Sequence, residues 1–160
     1  MKHGDAAWME QALRLAREAG EQGEVPVGAV VVRDGQVVGQ AGNVREGDRD
    51  PTGHAELSAL RAAAARLQRW NLSDCDLYVT LEPCAMCAGA ILLARIRRLV
   101  YGAPDPKAGA CGSALDVLGS TRNNHRVQVL AGVLAEPSAE LLRGFFAQRR
   151  RTRGEVAEHG

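Results

Sequence analysis

No apolar run in this 160-residue chain approaches the length of a membrane span, so a transmembrane helix is excluded at the sequence level. The opening residues Met1-Lys2-His3-Gly4-Asp5 lead into an amphipathic pattern and lack the apolar core of a signal peptide. A cytoplasmic protein with no membrane contact is the expectation. Internal repeats and low-complexity segments are also missing, which excludes solenoid and linker-like architectures. Cysteine is sparse: Cys75, Cys84, Cys87 and Cys111. In a reducing compartment that count argues against a disulfide scaffold and for metal or redox chemistry. Acidic residues are absent from 143 to 153, where Arg143, Arg149, Arg150, Arg151 and Arg153 cluster; the formal charge of +1 leaves a net −4 on the rest of the chain. A basic tail on a mildly acidic body suits contact with a polyanion at that end.

What is present suits one compact domain spanning 1–160, with 46% apolar and 24% charged residues. Helical spacing of Trp8, Met9, Ala12, Leu15, Ala16 and Ala19 predicts a helix over 5–22, with Asp5 as its cap. The β-branched run 27–33 reads as a buried strand. Asp34-Gly35 reads as a hairpin turn into a second strand over 36–42. A loop over 43–53 precedes an alanine-rich helix, about 54–69. Strand 75–81, helix 84–94 and strand 98–102 follow, the two strands expected to be parallel. A loop over 104–113, a short helix around 114–118, a strand over 127–133 and a basic helix about 137–153 complete the chain, with a disordered tail expected over 154–160. The pattern implies one mixed sheet with helices on both faces.

Two short segments carry the chemistry: His54-Ala55-Glu56 and Pro83-Cys84-Ala85-Met86-Cys87. Zinc takes nitrogen and sulfur ligands, usually four in a tetrahedron. One His and two Cys supply three and leave the open position that a catalytic site needs for water. Both segments open predicted helices, whose N-termini favour thiolate. Cys84 and Cys87, three residues apart, share a face of one turn. Glu56 follows His54 by two residues, about 200° around a helix, so a role as proton carrier beside the water suits it better than a ligand role. Cys75, Cys111 and His125 are the candidates for a fourth ligand that would close the site and make it structural.

These segments match the H-x-E and P-C-x-x-C signature of the zinc deaminases. Glu24-Val-Pro-Val-Gly-Ala-Val, Asp50-Pro-Thr-Gly-His-Ala-Glu, Leu77-Tyr-Val-Thr-Leu-Glu-Pro-Cys-Ala-Met-Cys-Ala-Gly-Ala, Asn124-His-Arg and Gly144-Phe-Phe resemble the tRNA adenosine deaminase family over nearly the whole chain. The resemblance implies a three-layer α/β/α cytidine deaminase-like fold with a five-stranded mixed sheet, and a homodimer. It implies one zinc per chain, held by His54, Cys84 and Cys87, with Glu56 as the catalytic residue. It further implies hydrolytic conversion of the wobble adenosine in a tRNA anticodon stem-loop to inosine, with release of ammonia. Asn43 and the Ala55 backbone would contact the base, Asp105 would lie near the ribose, and Phe146 and Arg149 would touch the anticodon loop. Two positions depart from the family pattern: Gly53 stands where alanine is more frequent, and Pro104 where a charge is frequent. From the residues alone, Asn43 could simply cap a turn, Asp105 could be a solvated turn residue, and one of Phe145 and Phe146 would be core. Two rival readings remain: a deaminase of free bases or nucleosides, and a non-catalytic RNA-binding module stabilised by a closed zinc site.

Overall fold

The computed structural model describes Lys2 and residues 4–159. Its elements are α1 (Asp5–Glu21), β1 (Gly28–Arg33), β2 (Gln36–Gly42), α2 (Ala55–Leu67), β3 (Asp76–Leu81), α3 (Ala85–Ala94), β4 (Arg98–Ala103), β5 (Gln128–Ala131) and α4 (Ala135–His159). The five strands form one mixed sheet in the order β2-β1-β3-β4-β5. β1 runs antiparallel to both β2 and β3, whereas β3, β4 and β5 are parallel. The β1–β2 turn is tight because Asp34 (φ 49°) and Gly35 (φ 71°) both adopt left-handed backbone, which matches the twist of the paired strands.

Helices cover both faces. Ala29, Val31, Leu77, Val79 and Leu99 point to one side and pack with Ala59, Ala63, Ala88 and Ile91 of α2 and α3. Val30, Val32, Tyr78 and Val100 alternate to the other side and pack with Met9 and Ala12 of α1. α4 also crosses that second face, against α1 and β4. The unbroken Val-Val-Val of β1 therefore reports a strand buried on both faces.

Close helix–sheet approach rests on two glycines. A Cβ at Gly28 would overlap the Ala12 carbonyl oxygen of α1, and one at Gly39 would overlap the Ala59 carbonyl oxygen of α2. Neither obstacle is a side chain that can swing away. Gly39→Ala is expected to lower stability by about 1–3 kcal/mol by forcing α2 off the sheet; an unchanged unfolding midpoint in urea would refute this packing.

Several boundaries differ from the sequence reading. Asp5 does not cap α1. Gly4 is the N-cap, and Asp5 turns inward, where Arg98 of β4 and the Tyr78 hydroxyl claim its carboxylate. No helix forms at 114–118; the segment is a turn with an isolated bridge between Cys111 and Asp116. Its N–H groups are taken elsewhere: those of Ala114 and Leu115 go to the Gly109 carbonyl and that of Val117 to the Ala110 carbonyl. β5 is shorter than 127–133, because Gly132 (φ 85°) turns the chain into α4. Residues 154–159, expected to form a disordered tail, are the last turns of α4, and Gly160 lies outside the described residues.

Candidate metal centre and catalytic cleft

The parallel strands β3 and β4 end side by side, and α2 and α3 begin beside those ends. His54 is the N-cap of α2 and Cys84 the N-cap of α3, both with extended backbone. The Asn43 side-chain oxygen accepts the Ala55 N–H at 2.8 Å and ties the start of α2 to the end of β2. His54 Nδ1 lies 3.5 Å from the Sγ of Cys84 and 3.5 Å from the Sγ of Cys87. Bonds of about 2.1 and 2.3 Å meeting at a tetrahedral angle place nitrogen and sulfur donors about 3.6 Å apart, close to the separations found here. The donor set therefore fits one tetrahedral ion.

Among the described residues no further His, Cys, Asp or Glu joins this group. Each candidate fourth ligand is occupied elsewhere. Cys75 is buried beside Asp74, His125 Nε2 pairs with the Ile96 carbonyl, and the Cys111 thiol points to the Pro83 carbonyl. Glu56 is outside the ligand group as well. Helical rotation alone does not separate it from His54, because His54 precedes the helix; the imidazole is aimed by extended backbone, and Glu56 by the first turn.

Electrostatics separate the roles. Hydrogen bonding from Cys87 and His54 holds the Cys84 thiol down at about 3, a thiolate at neutral pH. Cys87 is pushed up by the neighbouring Cys84 sulfur and by burial. Glu56 is 4% exposed, and burial pushes its carboxyl up, which favours a group that both takes and gives a proton.

A cleft opens on this centre, lined by Asn43, Arg45, His54, Glu56, Asp105 and Arg149 among others. It thus gathers Asn43, Asp105 and Arg149 in the same cleft as His54 and Cys84. The Ala55 side chain is buried, and its N–H is engaged by Asn43. Asp105 is also a turn residue: its Oδ1 accepts the N–H groups of Lys107 and Ala108. Phe146 lies apart, in an adjoining groove with Pro104, Asp105, Lys107, Arg143 and Arg150. Neither phenylalanine is core. Phe146 is 41% exposed, and Phe145 is half-buried with the Arg149 guanidinium 5.1 Å from its ring centre. α4 lies across the surface here, so only part of each turn is covered.

Two cleft residues escaped sequence reasoning. Glu24 is 3% exposed and accepts the N–H groups of Glu46 and Gly47, holding the 43–53 loop. Glu82, 2% exposed, accepts from the backbone of Asp105, Cys111 and Ser113 and from the Ser113 hydroxyl. Burial opposes ionisation of Glu82, yet these bonds outweigh it and hold its pKa below the usual carboxylate value. A charged residue closing the apolar strand Leu77-Tyr-Val-Thr-Leu is the signal that could have singled out Glu82.

The MafB19-like deaminase family matches residues 3–150. The chain belongs to this deaminase family. Within it, the chain is 42% identical over 147 residues to a tRNA-specific adenosine deaminase of Bacillus subtilis, covering 92% of this chain and 91% of the relative. It is 49% identical over 143 residues to one from Agrobacterium fabrum, covering 89% and 94%. A solved deaminase, from a study of A-to-I editing by tRNA:A34 deaminases at the wobble position of transfer RNA, superposes with a TM-score of 0.82 at 48% identity, covering 85% of this chain and 99% of that one. A guanine deaminase from Nitrosomonas europaea superposes with a TM-score of 0.77 at 27% identity, covering 89% and 84%. The deaminase fold is thus the three-layer α/β/α arrangement with a five-stranded mixed sheet.

Proposed function

We propose that this chain hydrolytically deaminates the wobble adenosine of a tRNA anticodon to inosine, releasing ammonia. One zinc per chain would be held by His54, Cys84 and Cys87. The observation that carries this reading is the three-donor group with the imidazole nitrogen 3.5 Å from each sulfur, facing a cleft that also holds a buried carboxylate outside that group. The similarity to tRNA-specific adenosine deaminases at 42% and 49% identity supports the choice of substrate.

Bound zinc supplies Lewis acidity, which brings the pKa of water towards neutrality. Glu56 accepts the proton released as water adds to the amine-bearing ring carbon. It passes that proton to the adjacent ring nitrogen, then takes the proton of the new hydroxyl as the carbonyl forms and delivers it to the amine, which departs as ammonia. Asn43 is pre-aimed: its oxygen is fixed on the Ala55 N–H, which leaves its NH₂ to donate to the purine ring. Asn43 and the Ala55 backbone would form the base-contacting wall, with Asp105 beside the ribose. Phe146 and Arg149 would meet the anticodon loop, whose unpaired bases are already splayed and cost less to extract than a duplex base.

The arginines of α4 would neutralise phosphates. Replacing Arg150, Arg151 and Arg153 with glutamine is expected to weaken tRNA binding. The slope of log K against log salt should flatten by about 0.7–0.9 for each phosphate left without its arginine. An unchanged slope would remove this segment from the interface.

A homodimer is supported by an apolar patch formed by α2, α3 and the turn after α2, where Trp70 is 66% and Leu93 73% exposed beside Leu57, Leu60 and Ala90. A cytoplasmic setting is supported by the four unpaired cysteines. Among the described residues no helix is long and apolar enough to cross a membrane. The deciding experiment incubates the zinc-loaded protein with unmodified tRNA carrying a wobble adenosine, and separately with free guanine, adenine and cytosine. Inosine at the wobble position is the expected product. Conversion of guanine alone would replace this reading with the free-base one, and no conversion of any substrate would favour the binding module.

A further inference from the structure

We infer that Glu82 is a positioning residue of this site: its buried carboxylate fixes the 104–113 loop and so sets where Asp105 stands on the rim of the cleft. The inference rests on the proposed tRNA deamination. Glu82 directly follows β3 and leads into Pro83 and Cys84; it is buried, and its N–H bonds the Ala103 carbonyl at the end of β4 at 2.9 Å. The loop that it grips contains Pro104, Pro106, Gly109 and Gly112 and no helix or strand of its own. Four donors converge on one carboxylate. Oε1 accepts the Asp105 N–H at 3.1 Å and the Ser113 hydroxyl at 2.5 Å; Oε2 accepts the Cys111 N–H at 3.0 Å and the Ser113 N–H at 3.2 Å.

Backbone N–H groups, which can only donate, meet both oxygens of this carboxylate, Asp105 at Oε1 and Cys111 and Ser113 at Oε2, so only a group with two accepting oxygens serves. Glutamine has nearly the same shape but offers an NH₂ on one side, which sets donor against donor there. Gly109 shows how closely the loop is laid on the carboxylate, because a Cβ there would overlap Glu82 Cδ. Asp105 is the one loop residue that both receives this grip and lines the catalytic cleft and the adjoining Phe146 groove. Its Oδ1 is spent on Lys107 and Ala108 of its own turn, so the turn moves as a unit when the Glu82 anchor is removed. Reacting groups displaced by about an ångström lose rate or affinity steeply, and here the displaced group contacts substrate away from the reacting carbon.

The test compares the unmodified protein, Glu82→Gln, Asp105→Ala and the double variant, all zinc-loaded, on an anticodon stem-loop with a wobble adenosine. Glu82→Gln is expected to raise KM about tenfold, with a smaller change in kcat and zinc still near one per chain. In the Asp105→Ala background the same substitution should change KM less than about twofold, since both changes act through one contact. Ser113→Ala removes a single hydroxyl donor and retains the fold; it should shift KM in the same direction by about two- to threefold. Multiplying effects in the double variant, or an unmoved KM in Ser113→Ala and Glu82→Gln, would overturn the inference while leaving the deamination reading intact. Zinc loss in Glu82→Gln would also overturn it, since Glu82 would then act through Cys84. An unmodified protein that makes no inosine would overturn both.

Discussion

Glu56→Ala is expected to lower inosine formation by about 10²–10⁴-fold or more, with zinc content unchanged near one per chain. The size follows from what the carboxylate is placed to do. Water attack on the ring carbon, protonation of the ring nitrogen and protonation of the amine each need a proton moved within a closed cleft. Glu56 is the buried carboxyl beside the three metal donors, and it is excluded from the ligand group. Burial has already raised its pKa, so the protonated form needed to deliver the proton is accessible without a large cost. Glu56→Gln keeps the shape and should be nearly as inactive, which separates proton transfer from packing. Zinc measured by atomic absorption and inosine by sequencing give the two readouts. A variant that loses its metal along with its activity would make Glu56 a ligand and end the proton-carrier assignment.

The second large effect concerns stability. Asp5→Ala is expected to destabilise the protein by about 3–5 kcal/mol, because it strands the Arg98 guanidinium inside the fold. The two side chains are 0% and 6% exposed. They meet through paired bonds of 2.8 and 2.5 Å, with the Tyr78 hydroxyl adding a third donor to Asp5 at 2.7 Å. At about 2–4 °C per kcal/mol for a domain of this size, the melting temperature should fall by roughly 6–20 °C. The pH dependence has a definite sign. The Arg98 guanidinium, together with Tyr78 and the Lys2 N–H, outweighs burial and holds the Asp5 carboxyl far below the ordinary range. Its contribution is complete above the unfolded carboxylate value of about 3.9 and drains away as pH falls towards the depressed folded value. The variant should lose that part of the acid limb. A melting point within about 2 °C of the parent would show the pair to be dispensable.

The clustering of His54, Cys84 and Cys87 was legible because their residue types, order and spacing are tied to one chemistry: an imidazole and two thiols at helix starts have few other joint uses. The sheet was legible from alternation and from the Asp34-Gly35 turn. What stayed hidden depends on partners remote in sequence. Asp5 has the local look of a cap, and only the arrival of Arg98 from β4 makes it a buried ion-pair partner. Residues 114–118 look locally helical, but the Glu82 carboxylate, about thirty residues earlier, fixes the chain just ahead of them at Cys111 and Ser113, and the N–H groups of Ala114, Leu115 and Val117 turn back to the Gly109 and Ala110 carbonyls. Glu24 likewise holds a loop more than twenty residues away. The adjacency of Phe145 and Phe146 suggested that one would be core, whereas a helix laid across the surface keeps neither fully inside.

His54 precedes β3 in the chain and the two sulfurs follow it, at the starts of helices that are brought together only by the finished sheet. In the unfolded chain Cys84 and Cys87 stay neighbours, but the imidazole is thirty residues off. A metal ion therefore grips the folded chain more tightly than the unfolded one, and occupancy feeds directly into conformational stability: at a free ion level about a hundred times the dissociation constant the gain is about 2.7 kcal/mol. Metal scarcity would thus act on the lifetime of this protein as well as on its turnover.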